Sequence, residues 1–244
     1  MPLTLATITP GKPEIFAALQ GEGPSAGRPC AFLRLSRCNL ACVWCDTAYT
    51  WRFTGDNRPH RDAINFDRGA NQVTLAEAEV AQRIAALGRD RLVITGGEPL
   101  LQGSALAQLL GDLPPITVEI ETNGTVIPPA SLDRLVAQYN VSPKLAHSGN
   151  ARDLALVPKA MAFFAGDPRA VFKFVIAEPD DVAEVQALAA SHEIPEDRIW
   201  LMPEGRDSET LRARARWLGE FCLSSGYRLS DRLHIHLSGD TRGT

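Results

Sequence analysis

PCAFLRLSRCNLACVWCDT, residues 29–47, runs from an apolar stretch straight into three thiols. The first part, PCAFLRLS (29–36), is short and continuously apolar apart from one arginine, which reads as a buried strand. Cys38, Cys42 and Cys45 follow at C-x3-C-x2-C spacing, so three of the chain's five cysteines fall within eight residues. A buried strand that ends on a loop of reactive side chains points to an α/β fold. In such folds, sites gather at the C-terminal ends of parallel strands.

Outward from this stretch, strand-like and helix-like segments alternate. TLAEAEVAQRIAALG (74–88) reads as a helix opened by a Thr74/Glu77 capping box and stopped at Gly88. RLVIT (91–95) is a strand ended by GGEP, and helices are expected near 103–111 and 129–139 on either side of the strand ITVEIET (116–122). VSPK (141–144), VFKFVIA (171–177), IWLMP (199–203) and RLHIHL (232–237) complete the strands. Helices at 180–193 and 208–226 lie between them. Strands separated by helices make a parallel sheet. Six or seven such units fall short of a full eight-fold barrel of ~250 residues. The expected fold is therefore α/β: an incomplete, open, partial TIM-like barrel of about six βα units, with residues 1–244 as a single domain. TWRFTGDNRPHRDAINFDRGANQ (50–72) is polar and weakly patterned, an irregular insertion or long loop. SRCNLACVWCDT, TGGEP, ETNG, SPK and MPEG all begin where strands stop.

Composition narrows the classes. At 45% hydrophobic and 22% charged, the 244 residues have the balance of an ordinary soluble globular protein. A net charge of −4 argues against broad nucleic-acid binding, which relies on Lys and Arg, but leaves room for a small anion held by local Arg residues. MPLTLATITPGKPE lacks the basic-then-apolar order of a signal peptide, and no stretch approaches the ~20 apolar residues that span a bilayer. A cytoplasmic location with no membrane partner is expected. In a reducing cytosol, clustered thiols read as metal ligands or redox groups rather than staples. Cys30 and Cys222, outside the cluster, read as small buried hydrophobes.

A structural zinc would want a fourth ligand, and the nearest histidine is His60. An iron–sulfur cubane normally takes four cysteines, so three would leave one iron open to a substrate or cofactor. At this point the sequence resembles the radical S-adenosylmethionine superfamily. Its cluster loop is C-x3-C-x2-C with an aromatic, here Trp44, before the last cysteine, and its cofactor stretch is GGEP (Gly96, Gly97, Glu98, Pro99) one unit later. Within that superfamily LQGEG (19–23), the strand with Arg34, WCDT (44–47) and SPK (142–144) resemble the 7-carboxy-7-deazaguanine synthases, well over about 14–145 and loosely beyond.

The resemblance implies conversion of 6-carboxy-5,6,7,8-tetrahydropterin to 7-carboxy-7-deazaguanine with loss of ammonia, a step towards queuosine-type 7-deazaguanines. It also implies a [4Fe–4S] cluster, catalytic S-adenosylmethionine, Mg2+, an electron donor such as flavodoxin or ferredoxin, and a homodimer. By the same resemblance, Cys38, Cys42 and Cys45 would hold the cluster. Leu19, Gln20, Gly21, Glu22, Arg34 and Thr95 would bind substrate. A glutamine serves both donor and acceptor edges of a pterin. Glu22 would meet the guanidine-like edge, or else be a solvated loop charge. An arginine in an apolar strand needs a partner, which the substrate carboxylate would supply; a structural ion pair is the competing reading. Trp44, Cys45, Asp46, Gly97, Ser142, Pro143 and Lys144 would bind S-adenosylmethionine, and Thr47 the Mg2+, as a modest oxygen ligand.

Other features are read more plainly. Glu119 and Glu121 share a strand face and are expected in salt bridges or ribose contacts. MPEG (Met202, Pro203, Glu204, Gly205) stands where the family has a further cofactor contact. His234 and His236 would share one face of the last strand as core or capping groups, and Thr244 is not expected to join the site. Two other classes fit parts of the pattern. A radical activase acting on a partner protein would need the thiols and GGEP but not Gln20 and Arg34, and a non-catalytic zinc-bearing module would need only the thiols.

Overall fold

The computed structural model describes residues 2–244. The first long apolar stretch forms strand β4 (Pro29–Leu35), whose side chains alternate between two environments. Leu33 and Leu35 enter the main hydrophobic core, while Phe32 and Arg34 face a cavity on the other side. This is the period-2 alternation of a strand. Beyond β4 the sheet grows in chain order: β6 (Arg91–Gly96), β7 (Thr117–Thr122), β8 (Gln138–Val141), β9 (Ala170–Ile176), β10 (Ile199–Pro203) and β11 (Arg228–Leu229), each parallel to the one before. Against its other edge β4 pairs antiparallel with β3 (Ile15–Leu19) and, through Leu35, with β1 (Leu3–Thr9). β1 in turn carries β2 (Lys12–Pro13) and β5 (Gln72–Leu75). The two ends of the sheet do not pair, so the barrel is partial and open.

Helices α1 (Arg68–Asn71) and α2 (Glu77–Ala85) precede β6, and α3 (Gly103–Gly111) follows it. Short α4 (Ala130–Asp133) leads into β8. Then come α5 (Arg152–Ala155), α6 (Pro158–Gly166), α7 (Pro179–Ser191), α8 (Ser208–Ser225) and α9 (Leu233–Ser238). Val80, Ile84, Leu106, Leu109, Val185 and Leu218 on these helices pack on the outward strand residues Leu92, Ile94, Ile120, Phe172 and Phe174. Each such side chain contributes about 1.5–3 kcal/mol on burial. Cys30 and Cys222 are buried, as expected of small hydrophobes, and all five cysteines are free thiols.

Several local expectations fail for identifiable reasons. Thr74 caps nothing: it pairs with Thr4 inside β5, and the following helix starts three residues later behind Ala76 with no side-chain cap. The helix expected over 129–139 is cut to Ala130–Asp133, because the chain is already extended from Gln138 to pair with β7. RLHIHL is not the last strand. Gly226 ends α8 in a left-handed turn, two residues complete β11, and Leu233–Ser238 closes into a helical turn and a half. His234 and His236 therefore diverge instead of sharing a face. The 50–72 segment has a small core of its own: Phe53 bridges to Phe66, and Trp51, Arg52 and Phe53 are buried.

Candidate active site

One cavity opens at the C-terminal ends of the parallel strands, and nearly all the sequence-selected residues line it. Leu19, Gln20, Gly21 and Glu22 come from the end of β3, Arg34 from β4, and Cys38, Cys42, Trp44, Cys45, Asp46 and Thr47 from the loop after it. Thr95 and Gly97 follow from β6, and Ser142 and Lys144 from the end of β8. Pro143 is buried but does not line the cavity.

The thiol loop is held by backbone contacts that need glycine. A Cβ on Gly96 would overlap Leu35 O, and one on Gly97 would overlap Arg37 O. The two loops therefore meet backbone to backbone, Gly97 N donating to Leu35 O at 3.0 Å and Glu98 N to Arg37 O at 2.8 Å. Glu98 is wholly buried and ties this loop to the end of β7. It accepts from Leu100 N at 2.9 Å, Thr122 Oγ1 at 2.9 Å and Asn123 N at 2.7 Å. Burial pushes its carboxyl up to about 7, against those three donors. On the outer side the 50–72 segment braces the thiols, with Arg61 N donating to Val43 O at 2.8 Å and His60 Nε2 lying 2.8 Å from Cys45 O.

The sulfurs have few partners. Burial pushes the Cys38 thiol up to about 12 and the Cys45 thiol up to about 11, and raises Cys42 as well. Without a metal all three are protonated at neutral pH; binding one would release protons. Among the described residues, no three His, Cys, Asp or Glu side chains gather as they would around a single metal ion. Three free thiols around one cavity suit a larger, multi-iron group better than one zinc. Trp44 Nε1 is buried with no hydrogen-bond partner, a donor left for a bound group, while its ring stacks on His147 at 5.4 Å. Thr47 lies beside the same thiols, its Oγ1 3.6 Å from Cys45 Sγ.

The opposite wall is ionic. Lys173, on β9, has a side chain only 3% exposed and bonds Glu22 and, at 2.7 Å, Glu121. Arg232, just before α9, reaches Glu22 at 3.1 Å and also pairs with Asp46. Gln20 Nε2 donates to Glu121 Oε1 at 3.1 Å. Burial alone would raise the Glu22 carboxyl, but Lys173 and Arg232 outweigh it and hold it well below the usual carboxylate range. Glu22 is thus no solvated loop charge. Arg34 has the ion pair that its strand position requires, Nε to Glu14 at 2.8 Å, with Tyr49 Oη donating to Glu14 at 2.9 Å. It lines the cavity nonetheless. Glu119 pairs with Arg91, so both β7 carboxylates are in salt bridges as expected.

Sequence reasoning missed Lys173 and Arg232, and misjudged His234 and Thr244, both of which line the cavity. His234 is held low by burial, hence neutral, and Leu233 N donates to Gly21 O at 2.9 Å. The tail is tied down by Arg242, whose guanidinium lies 3.5 Å from the Tyr49 ring centroid. The available signal was a lysine in the apolar strand VFKFVIA, the same anomaly that singled out Arg34. MPEG also lines the cavity through Met202, Pro203, Glu204 and Gly205.

Comparisons with known proteins agree with this geometry. Residues 33–215 match the Radical SAM superfamily. The chain is 37% identical to the 7-carboxy-7-deazaguanine synthase of Pyrobaculum aerophilum over 94% of its own length and 95% of the relative's. It is 32% identical to that of Rhodopirellula baltica, covering 95% and 87% respectively. The crystal structure of QueE from Escherichia coli superposes with a TM-score of 0.67 at 26% identity, covering 95% of each chain. With nearly full-length likeness in both sequence and fold, the chain belongs to the 7-carboxy-7-deazaguanine synthases of the radical S-adenosylmethionine superfamily.

Proposed function

We propose that the two walls of the cavity divide the work: Cys38, Cys42 and Cys45 hold the cluster, and the ionic wall holds the pterin. The enzyme is a radical S-adenosylmethionine lyase of 7-deazaguanine biosynthesis, with a [4Fe–4S] cluster and S-adenosylmethionine as cofactors. Its reaction takes 6-carboxy-5,6,7,8-tetrahydropterin to 7-carboxy-7-deazaguanine and ammonia. When bound, the cluster and S-adenosylmethionine would supply radical hydrogen-transfer chemistry to the pterin.

The rest is the chain's own work of binding and orientation. Trp44, Cys45, Asp46, Gly97, Ser142 and Lys144 flank the space for S-adenosylmethionine beside the thiols, and Pro143 shapes the backbone between the last two. Lys144 Nζ donates to Ser142 Oγ at 2.9 Å and lies 5.5 Å from the Trp44 ring centroid, so the triplet and the aromatic act as one surface. Arg34, its Nε fixed by Glu14, offers its guanidinium to the substrate carboxylate. Leu19, Gln20, Gly21, Glu22 and Thr95 line the pterin side, where Gln20 and Glu22 match an edge of alternating donors and acceptors. Thr47 offers a hydroxyl for Mg2+, with substrate and water completing the shell. Orientation and exclusion of water, more than acid–base power, are what such a site supplies.

Residues 1–244 act in this reading as one catalytic domain. It works in the cytoplasm as a homodimer, served by an electron donor such as flavodoxin or ferredoxin, with no nucleic-acid partner. No helix among the described residues is long and apolar enough to cross a membrane. The single observation that carries the reading is the meeting of three free thiols and a paired charge network around buried Lys173 and Arg232 in one cavity. An activase with a protein substrate would have no use for Gln20 and Arg34 inside it. The test is an anaerobic assay with the carboxylated pterin, S-adenosylmethionine and Mg2+, read by mass spectrometry. The expected result is 7-carboxy-7-deazaguanine in excess over cofactor consumed; stoichiometric cofactor loss without pterin turnover would overturn it.

A further inference from the structure

We infer that Asn150 is a positioning residue that sets the reduction potential of the cluster by donating a hydrogen bond to the sulfur of Cys42. The inference rests on Cys42 being a cluster ligand. Asn150 lies 108 residues further along the chain, in the turn that follows β8, yet its side-chain amide spans the thiol loop. Its Oδ1 accepts from Ala41 N at 2.9 Å, and its Nδ2 donates to Cys42 Sγ at 3.2 Å and to Ser148 Oγ at 3.1 Å. The orientation of the amide is fixed by Ala41, because a backbone N–H can face only the oxygen. The nitrogen must then face the sulfur.

The turn itself is locked in place. Ser148 is wholly buried, and its carbonyl accepts from Val43 N at 2.9 Å, one residue beyond Cys42. The other two thiols have donors of their own, the Trp51 indole for Cys45 among them. Cys38 Sγ has Leu40 N at 3.5 Å and Asn123 Nδ2 at 3.9 Å, and Cys45 Sγ has the Thr47 hydroxyl at 3.6 Å. Hydrogen bonds to ligand sulfurs are among the factors that set an iron–sulfur potential. A donor stabilises the more negative, reduced state more than the oxidised one, so Asn150 raises the potential and makes reduction by a weak donor easier.

Asn150→Asp separates the two functions of the side chain. It keeps an acceptor for Ala41 N and removes the donor to Cys42. The holoenzyme, rebuilt anaerobically with iron and sulfide, is titrated with dithionite and followed by electron paramagnetic resonance of the one-electron reduced cluster. At a fixed poise the reduced-to-oxidised ratio should fall about fivefold, roughly 40 mV at 59 mV per tenfold for one electron. Iron and sulfide content should match the wild type, and the KM for the pterin should stay unchanged while kcat falls. Asn150→Ala, which removes both contacts without adding charge, should shift the potential in the same direction and serves if the Asp variant does not hold a cluster. An unchanged potential in a fully loaded variant, or loss of the cluster from both, would overturn the inference. A wild-type protein that takes up no iron and sulfide would instead overturn the ligand reading beneath it.

Discussion

The two walls of the cavity are built on opposite principles. The sulfur wall holds its shape with backbone contacts and neutral amides: Gly97 against Arg37, Glu98 under three donors, Asn150 across Ala41 and Cys42. The facing wall is a chain of alternating charges, Asp46, Arg232, Glu22, Lys173 and Glu121, drawn from five separate parts of the sequence. Glu98 and Glu22 record the difference. Glu98, among neutral groups, is pushed up to about 7, whereas Glu22, between a lysine and an arginine, is held far below the usual range. On the ionic wall the charges come in pairs, because an unpaired one would be costly to bury.

Breaking the sulfur wall should have the largest effect. Cys38→Ser, Cys42→Ser or Cys45→Ser should each lower activity by more than about a thousandfold, since the radical chemistry belongs to the cofactor rather than to the protein. The loss should appear as a missing iron–sulfur absorption band, with little change in the unfolding midpoint of the metal-free protein. The ionic wall should break the other way. Lys173→Met strands Glu22 and Glu121 in a site where the lysine side chain was 3% exposed, and should cost about 3 kcal/mol of stability in urea unfolding while cluster loading survives.

A pH series sharpens the contrast between the two glutamates. A carboxyl whose folded value lies above its unfolded one binds more protons when folded, so stability falls as pH rises from about 4.5 to about 7 and is flat beyond. Glu98 should therefore make the metal-free protein less stable at pH 7 than at pH 5 by about 1–3 kcal/mol. Glu98→Gln should remove that slope. Glu22 contributes in the opposite sense, its stabilisation being present above pH 4.5 and lost only in stronger acid. The exposed Glu79–Arg83 pair, 2.8 Å apart on α2 with side chains 44% and 48% exposed, gives the lower bound. Arg83→Ala should change stability by less than about 0.5 kcal/mol.

The same division decided what the sequence could disclose. The sulfur wall is made of contiguous motifs, and Cys38, Cys42, Cys45 and the GGEP and SPK residues lie where strand ends were expected. The parallel order β4, β6, β7, β8, β9, β10 was readable for the same reason, since alternating strand and helix patterns fix neighbours along the chain. The ionic wall is only partly written in motifs: Glu22 lies in LQGEG, Asp46 in WCDT and Glu121 in ETNG, while Lys173 and Arg232 lie in none. Glu22, Glu121, Lys173 and Arg232 are scattered, and only the fold makes them adjacent. Local rules also lost to pairing across the sheet, as when Thr74 joined β5 instead of capping a helix and residues from 138 became strand. Near the C-terminus, alternation in LHIHL was taken for a strand, although a stretch that short satisfies a helical turn equally well.

The thiol loop is gripped on one flank by His60 and Arg61 and on the other by Ser148 and Asn150, all protein groups. Its shape therefore does not depend on a bound metal group, in contrast to small zinc domains that collapse when chelated. Oxygen damage to a cluster held there should leave a folded polypeptide ready for refitting.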